Sequence, residues 1–387
     1  MLDIHPTPPL VALVLGLLLL PLLLLIPQLK GWSKQSTLLP RLNRLWHWRR
    51  RRQSSEIVSL RMYPIKSCRG IEVHGTILKE HGLELDRRWM LVDASTREFL
   101  TIRQIPDMTR IGTGLSPDGS ELVVTIPVKG ATGSGNTTRT DKSAVTVNTV
   151  RIPSHPSPEW LEANTVVAPV KIWDNDTDGY VYGDTVNAPF SAFLGRAVAL
   201  VYKGPTPRVL KGNGAPKLLG RVQSTGFPDV FPVLIASEAS LAELNSRLRS
   251  KNVDPITVER FRPNIIVRGE TPWVEDSWKT VRISNSSRNS SPDGTGSKES
   301  FNHEPLDLDI VARCARCQVP NVDPSTAVKH QKQPWDTLMS YRRVDEGIKY
   351  KPCFGMLAAP RSEGPVEVGM TLEVLEETNN HRYITGF

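Results

Sequence analysis

Cysteine is scarce, with four in 387 residues. That excludes a disulfide-stapled scaffold and favours a reducing compartment. Aromatic residues reach only 6%. No glycine fingerprint of the G-x-G-x-x-G type follows a strand pattern, and long alternating βα units are missing, which argues against a doubly wound nucleotide-binding fold. No flavin, haem or nicotinamide motif is present. Acidic residues are missing from 30–52, where Lys30, Lys34, Arg41, Arg44, Arg49, Arg50, Arg51 and Arg52 gather. These eight bases account for the formal charge of +8. The rest of the chain is almost neutral, so the basic balance does not imply a nucleic-acid partner. What is plentiful is turn formers, 27 Gly and 31 Pro, in a chain that is 39% hydrophobic and 23% charged. That composition is globular, and the length accommodates two domains.

From Ile4 to Leu29 no Asp, Glu, Lys or Arg occurs, and Leu10–Ile26 is almost purely aliphatic. As a helix at about 1.5 Å per residue this run spans roughly 26 Å, close to a bilayer core. A cleaved signal peptide would carry its bases before the run rather than after it, and Pro27-Gln28-Leu29-Lys30 is a poor cleavage site. We therefore expect a retained transmembrane helix within 1–30, a basic juxtamembrane linker over 31–55, and a body facing the cytosol by the positive-inside rule. Trp46 and Trp48 in the basic run suit an anionic lipid surface, and the run reads equally as a topology determinant alone.

From about Glu56 the pattern is that of short strands: IVSLRMYPI, WMLVDA, VVTI, VTVNTVRI, PNIIVRG, WKTVRIS and LDLDIVAR. The clearest helix is SEASLAELNSRLRS, capped by Ser237 with Leu241, Leu244 and Leu248 on one stripe. Shorter helices are expected at Pro158–Ala163 and Pro189–Leu194, the latter stopped by Gly195. Two low-complexity stretches, 129–142 and 284–300, read as loops. The body is mainly β, a β-rich α+β fold with a divide near 205–225.

Several segments carry candidate chemistry. Cys314-Ala315-Arg316-Cys317 holds half a zinc set with no second pair, and Pro320 disfavours the helix that a thioredoxin-type motif opens. What remains is a reactive thiolate with Arg313 and Arg316 lowering its pKa, or two small buried hydrophobes; spacing alone leaves both open. Asp174–Gly179 imitates the start of an EF-hand loop but has Thr185 at the twelfth position, so a polar hairpin turn is expected. Four Asn-x-Ser/Thr triplets test topology rather than predict glycans. Lys66 with Ser67, Arg87, and Arg262 with Asn264 sit at strand ends and suit an anionic, phosphate-bearing ligand. Any one of them taken alone reads as an ordinary surface charge.

Taken in order, YPIKSCRG (63–70), DRRWMLV (86–92), FLTIRQ (99–104), SEASLAELNSRL (237–248), FRPNIIVRG (261–269), RCARC with VDP (313–324) and TLMSYRR (337–343) resemble the MOSC family. The likeness is closest to its mitochondrial amidoxime-reducing component subgroup. It implies an N-terminal MOSC-type β-barrel domain (56–205) and a MOSC β-barrel domain (220–377). It also implies a molybdenum cofactor (Mo-molybdopterin) with Cys317 on the metal and catalytic, and Lys66, Ser67, Arg87, Arg262, Asn264, Ala315 and Arg316 as cofactor contacts. It further carries pyridoxal phosphate binding, electrons from cytochrome b5 and its NADH-dependent reductase, small N-hydroxylated substrates, and the mitochondrial outer membrane rather than the endoplasmic reticulum. Val230, Phe231 and Leu357 depart from side chains the subgroup uses around the cofactor. The alternative within the family is a molybdenum-cofactor or sulfur carrier working through a persulfide.

Overall fold

A computed structural model describes residues 53–128, 146–285 and 304–386. The expected membrane anchor, all but the end of the basic linker, and most of both low-complexity loops lie outside the described residues. Among the described residues no helix is long and apolar enough to cross a membrane.

Alternation decides the architecture of the second half. In Leu306–Ala315 the residues Leu306, Leu308 and Ile310 face one way and Asp307 and Asp309 the other; Val281 and Ile283, and Leu372 and Val374, do the same in Trp278–Ser284 and Thr371–Glu377. Their apolar faces meet Ile57, Leu60, Val233, Ile235, Ile265, Val267, Met356 and Ala358 in one core. The strands run in the order Ile265–Val267, Val233–Ser237, Cys353–Pro360, Leu306–Ala315, Trp278–Ser284, Thr371–Glu377, Ser54–Met62. Ser54–Met62 also pairs with Ile265–Val267, with Leu60 opposite Ile265, and this closes a seven-stranded barrel. Ser54–Met62 is the first described strand, yet it pairs with the last one, Thr371–Glu377, and with Ile265–Val267 far along the chain. Ile71–Val73 adds to its remaining length.

Between these strands the chain builds a separate β layer. Trp89–Asp93, Val198–Lys203, Asn175–Tyr182 and Thr165–Ile172 form a four-stranded antiparallel sheet. Gly112–Leu115, Glu121–Pro127 and Val147–Pro153 form a three-stranded one. Leu91, Leu122, Val124, Phe190, Phe193 and Leu200 share the core with the helix Asp184–Leu194.

That helix starts at Asp184, five residues before the expected Pro189, so the proline lies inside it. A proline there forfeits one backbone bond. Burial of Phe190 and Phe193 and the buried Asn187 hold the turn against that loss. Gly195 ends the helix at φ 69°, as expected. The helix Glu238–Arg249 has Ser237 accepting from Ser240 N, with Leu244 and Leu248 buried. The polar run at 174–179 lies at a hairpin, but its turn is Trp173-Asp174; Asn175–Asp178 already belongs to the second strand.

Asn187 ties this layer together. Its amide donates to Tyr182 O at 2.6 Å and its oxygen accepts from Leu200 N at 2.8 Å. Asn187→Ala leaves both buried groups unpaired and is expected to cost about 2 kcal/mol or more. Urea unfolding should show a lower midpoint at unchanged slope; an unshifted midpoint contradicts the assignment.

Candidate functional site

The strand Ser54–Met62 delivers Tyr63-Pro64-Ile65-Lys66-Ser67 into the angle between the barrel and the second β layer. Lys66 N donates to Trp89 O and Arg87 N to Tyr63 O, each at 2.8 Å, so the Lys66 and Arg87 segments are laced together. Arg262 and Asn264 arrive from the barrel side, directly before Ile265–Val267. Ala315 ends the long strand, and Arg316 and Cys317 follow it. Two bulges, between Ile310 and Ala312 and between Arg313 and Ala315, bend that strand just before Cys317.

All eight residues singled out from the sequence line one cleft of about 230 Å³. Val230, Phe231 and Leu357 line it too. The lining carries six basic side chains and a single acidic one, Asp229. Such an excess suits an anionic ligand.

Tyr63 is fully buried, and the guanidinium carbons of Arg262 and Arg87 lie 4.2 and 4.6 Å from its ring centroid. Arg87 donates to Asp86 at 2.6 Å, to Asn264 Oδ1 at 3.2 Å and to Arg262 O at 3.0 Å. Arg262 Nη1 donates to Cys68 O at 2.8 Å, whereas its Nη2 is buried and has no protein partner. An unpaired guanidinium nitrogen at an anion-suited cleft fits an acceptor supplied by a ligand. Ser67, Arg87 and Arg262 all hold left-handed backbones, with φ 70°, 48° and 58°. Non-glycine residues avoid that region, and such strain concentrates at binding sites.

Asn264 serves the scaffold. Its Oδ1 also accepts from Leu234 N at 3.1 Å and its Nδ2 donates to Arg61 O at 3.2 Å, bridging strands on either side. Lys66 Nζ donates to Phe227 O at 3.0 Å and pairs with Asp229. Packing around the carboxylate disfavours its charge although Asp229 keeps one edge exposed; Lys66, Arg103 and the Trp173 N–H together outweigh this and hold it well below the usual range.

The cysteines correct one expectation. Arg313 turns away from them to the carbonyls of His381 and Asp276 and lies 3.6 Å from the Asp345 carboxylate. Arg316 serves Cys314, at 2.9 Å from its Sγ, although burial still pushes the Cys314 thiol up. The cation beside Cys317 is Arg103, whose Nε donates to Sγ at 3.3 Å. Arg103 lies 4.5 Å from the centre of the Trp173 ring and 3.8 Å from Asp229. Trp173 Nε1 donates to the same carboxylate at 3.3 Å. Arg103 lies within FLTIRQ, where nothing in the sequence marks it as a site residue. Cys68 and Cys353 are buried with thiols pushed up to about 12, so neither offers a thiolate.

Among the described residues no three His, Cys, Asp or Glu side chains gather into a metal cage. The cleft thus pairs one soft sulfur donor with fixed cations, a set that suits a metal whose remaining ligands come from an anionic organic group.

The closed barrel and its cation-rich cleft define an anion-binding cleft protein. Residues 54–197 match the MOSC N-terminal beta barrel domain and residues 223–373 the MOSC domain, and the chain belongs to that family. It is similar to human mitochondrial amidoxime-reducing component 1, 28% identical with 84% of this chain and 86% of that protein covered. It is 27% identical to rat mitochondrial amidoxime reducing component 2, covering 83% and 84%. It is 29% identical to a rice molybdenum cofactor sulfurase, covering 77% of this chain but 32% of that protein.

Two predictions follow from the cationic wall. A Cβ on Gly70 would lie 2.5 Å from two Tyr63 ring carbons. Gly70→Ala should displace the ring under both arginines and cost about 1–3 kcal/mol, read from the melting midpoint. Lys66 is lowered from 10.5 to about 8 because burial disfavours the ammonium, with Asp229 opposing the fall. Between those pH values the unfolded chain holds more of the proton, so Lys66 makes stability rise with pH. Lys66→Met should remove that rise in denaturant titrations at stepped pH; an identical rise in the variant refutes it.

Proposed function

We propose that this protein is a molybdenum-cofactor-dependent oxidoreductase that reduces N-hydroxylated compounds such as amidoximes and hydroxylamines. One observation carries the reading: Lys66, Ser67, Arg87, Arg262, Asn264, Ala315, Arg316 and Cys317 converge on a single cation-rich cleft around an accessible thiol. The similarity to amidoxime-reducing components over most of the chain supports it.

Lys66, Arg87 and Arg262 would hold the cofactor's phosphate, the unpaired Arg262 Nη2 taking part. Cys317 would supply the protein's sulfur ligand. The bound cofactor would provide the two-electron chemistry that removes oxygen from the substrate nitrogen. The chain's own residues bind, orient and exclude water. Arg103 holds the Cys317 sulfur by a hydrogen bond from Nε, itself held by Trp173 and Asp229. Arg87 and Arg262 present positive charge that is already oriented, so no reorganisation is needed when negative charge arrives. Val319, Ile348 and Leu357 line the cleft with apolar surface.

Electrons come from a separate donor, since the sequence carries no flavin, haem or nicotinamide motif. We assign that role to cytochrome b5 with its NADH-dependent reductase. The apolar segment within 1–30 anchors the protein with its body in the cytosol, on the mitochondrial outer membrane, where shared anchoring raises the donor's effective concentration. For pyridoxal phosphate the cleft offers two lysines, Lys66, which is paired with Asp229, and Lys351.

A second reading, a cofactor or sulfur carrier, is favoured by the sulfurase match and by a second thiol, Cys314, in the same cleft. Metal and pterin analysis of the chain made in a host that synthesises the cofactor decides between them, beside Cys317→Ser. The reductase should hold about one molybdenum per chain and lose it or its activity in the variant. A folded, molybdenum-free protein carrying a cysteine adduct of about +32 Da, one sulfur, refutes the reductase and leaves the carrier.

A further inference from the structure

Residues 378–386 follow the last barrel strand and lie beyond the matched MOSC domain, yet they help to wall the cleft. The segment is held along its whole length. Thr378 N donates to Ser277 O at 2.7 Å, and His381 Nε2 lies 2.6 Å from Trp278 O. The Asn213 amide clasps the chain at two points, donating to Arg382 O at 2.9 Å and accepting from Ile384 N at 2.7 Å. Tyr383 N donates to the buried Asp345 carboxylate at 2.8 Å. Two glycines clear the path. A Cβ on Gly347 would stand 2.0 Å from Tyr383 O, and one on Gly212, at φ +56°, 2.6 Å from Ile384 O. Two backbone clearances and five hydrogen bonds, counting the His381 contact, make a fixed strap rather than a loose tail.

Its placement gives it a task. Tyr383 is 7% exposed and packs with Phe231, Leu234, Ala312 and Leu357, against which Cys314 and Ala315 also rest. Tyr383 and Thr385 thereby enter the lining of the cleft that holds Cys317. The cations come from other segments, and apart from the Tyr383 and Thr385 hydroxyls this sector is the apolar surface of Phe231, Leu234 and Leu357.

We propose that the 378–386 strap is a specificity-determining wall, which limits the group that reaches Cys317 to a compact apolar one. The substrate class is then an N-hydroxylated compound whose substituent is small and uncharged. The class rests on the reductase reading; the wall does not.

The test therefore has two arms. In the first, the full chain is made without cofactor so that the Cys317 thiol is free. It is alkylated with N-ethylmaleimide and with a maleimide bearing a short polyethylene glycol chain. Peptide mapping separates Cys317 from Cys314, and rates are normalised to glutathione. The wild type should favour the small reagent. Deleting residues 381–387 should relax that preference about tenfold, the lower range of what excluding one group from a pocket delivers. Tyr383→Ala should relax it in part and Tyr383→Phe should not. A cooperatively melting deletion variant with the wild-type ratio overturns the wall. If the deletion does not fold, Tyr383→Ala and Asn213→Ala decide, and unchanged ratios in both overturn it. In the second arm, the loaded enzyme is assayed on compact and extended N-hydroxy compounds. Loss of kcat/KM discrimination in the strap variants supports the substrate class. A wild type that reduces neither compound defeats the reductase reading, while the alkylation ratios still decide the wall.

Discussion

The pairing of Ser54–Met62 with Ile265–Val267 is the constraint from which the site follows. Leu60 opposite Ile265 fixes the register, and antiparallel geometry then brings the residues after Met62 next to those before Ile265. Tyr63, Lys66 and Ser67 thus meet Arg262 and Asn264, though roughly two hundred residues of chain lie between them. Arg61 N donating to Asn264 O and Asn264 N to Leu234 O, both at 2.8 Å, extend the ladder past the strands themselves. A slip of one residue would turn Leu60 out of the barrel core and Arg61 into it, so the core enforces the register that assembles the cleft.

Gathering cations on a buried wall is costly, because each loses hydration and repels its neighbours. Local partners offset that cost incompletely. Asp86 takes Arg87, Asp229 takes Lys66, the Tyr63 ring faces two guanidiniums, and backbone carbonyls absorb further N–H groups. Arg262 retains one unpaired nitrogen, and three residues keep left-handed backbones. Packing on both sides over-determines these conformations; the interaction that would repay them is an anion in the cleft. A site ordered before its ligand arrives binds with less loss of freedom on association.

How much of this was legible depends on the range of each interaction. WKTVRIS is a strand with the bounds its alternation suggests, because a half-buried strand is encoded residue by residue. Ser237 caps the helix after it for the same local reason. Pro189 misled because a proline normally opens a helix, and only the packing of Phe190 and Phe193 accounts for one in the interior. Arg103 was invisible as a site residue. It is 214 positions from Cys317, and nothing in FLTIRQ distinguishes a base aimed at a thiol from one in solvent. Conversely Arg313, adjacent in sequence to Cys314, turns away, and Arg316 meets Cys314 and leaves Cys317 to Arg103, because a bulged strand end sends neighbouring side chains in different directions. The cationic residues could be listed from ordered motifs, but their convergence required the barrel to close.

The cysteine pair shows what that closure achieves electrostatically. Cys314 and Cys317 are three residues apart, each with an arginine at hydrogen-bonding distance, yet their surroundings differ. Cys314 packs among Phe231, Leu234 and Leu357, where burial outweighs Arg316 and keeps its sulfur protonated. Cys317 stands past the end of the strand with Arg103, whose charge is tied back to Asp229, itself about half exposed at 47%. One sulfur is thereby suited to packing and the other to accepting a metal or an electrophile. The division comes from which arginine each meets and from the apolar side chains packed around Cys314, and the motif's spacing specifies neither.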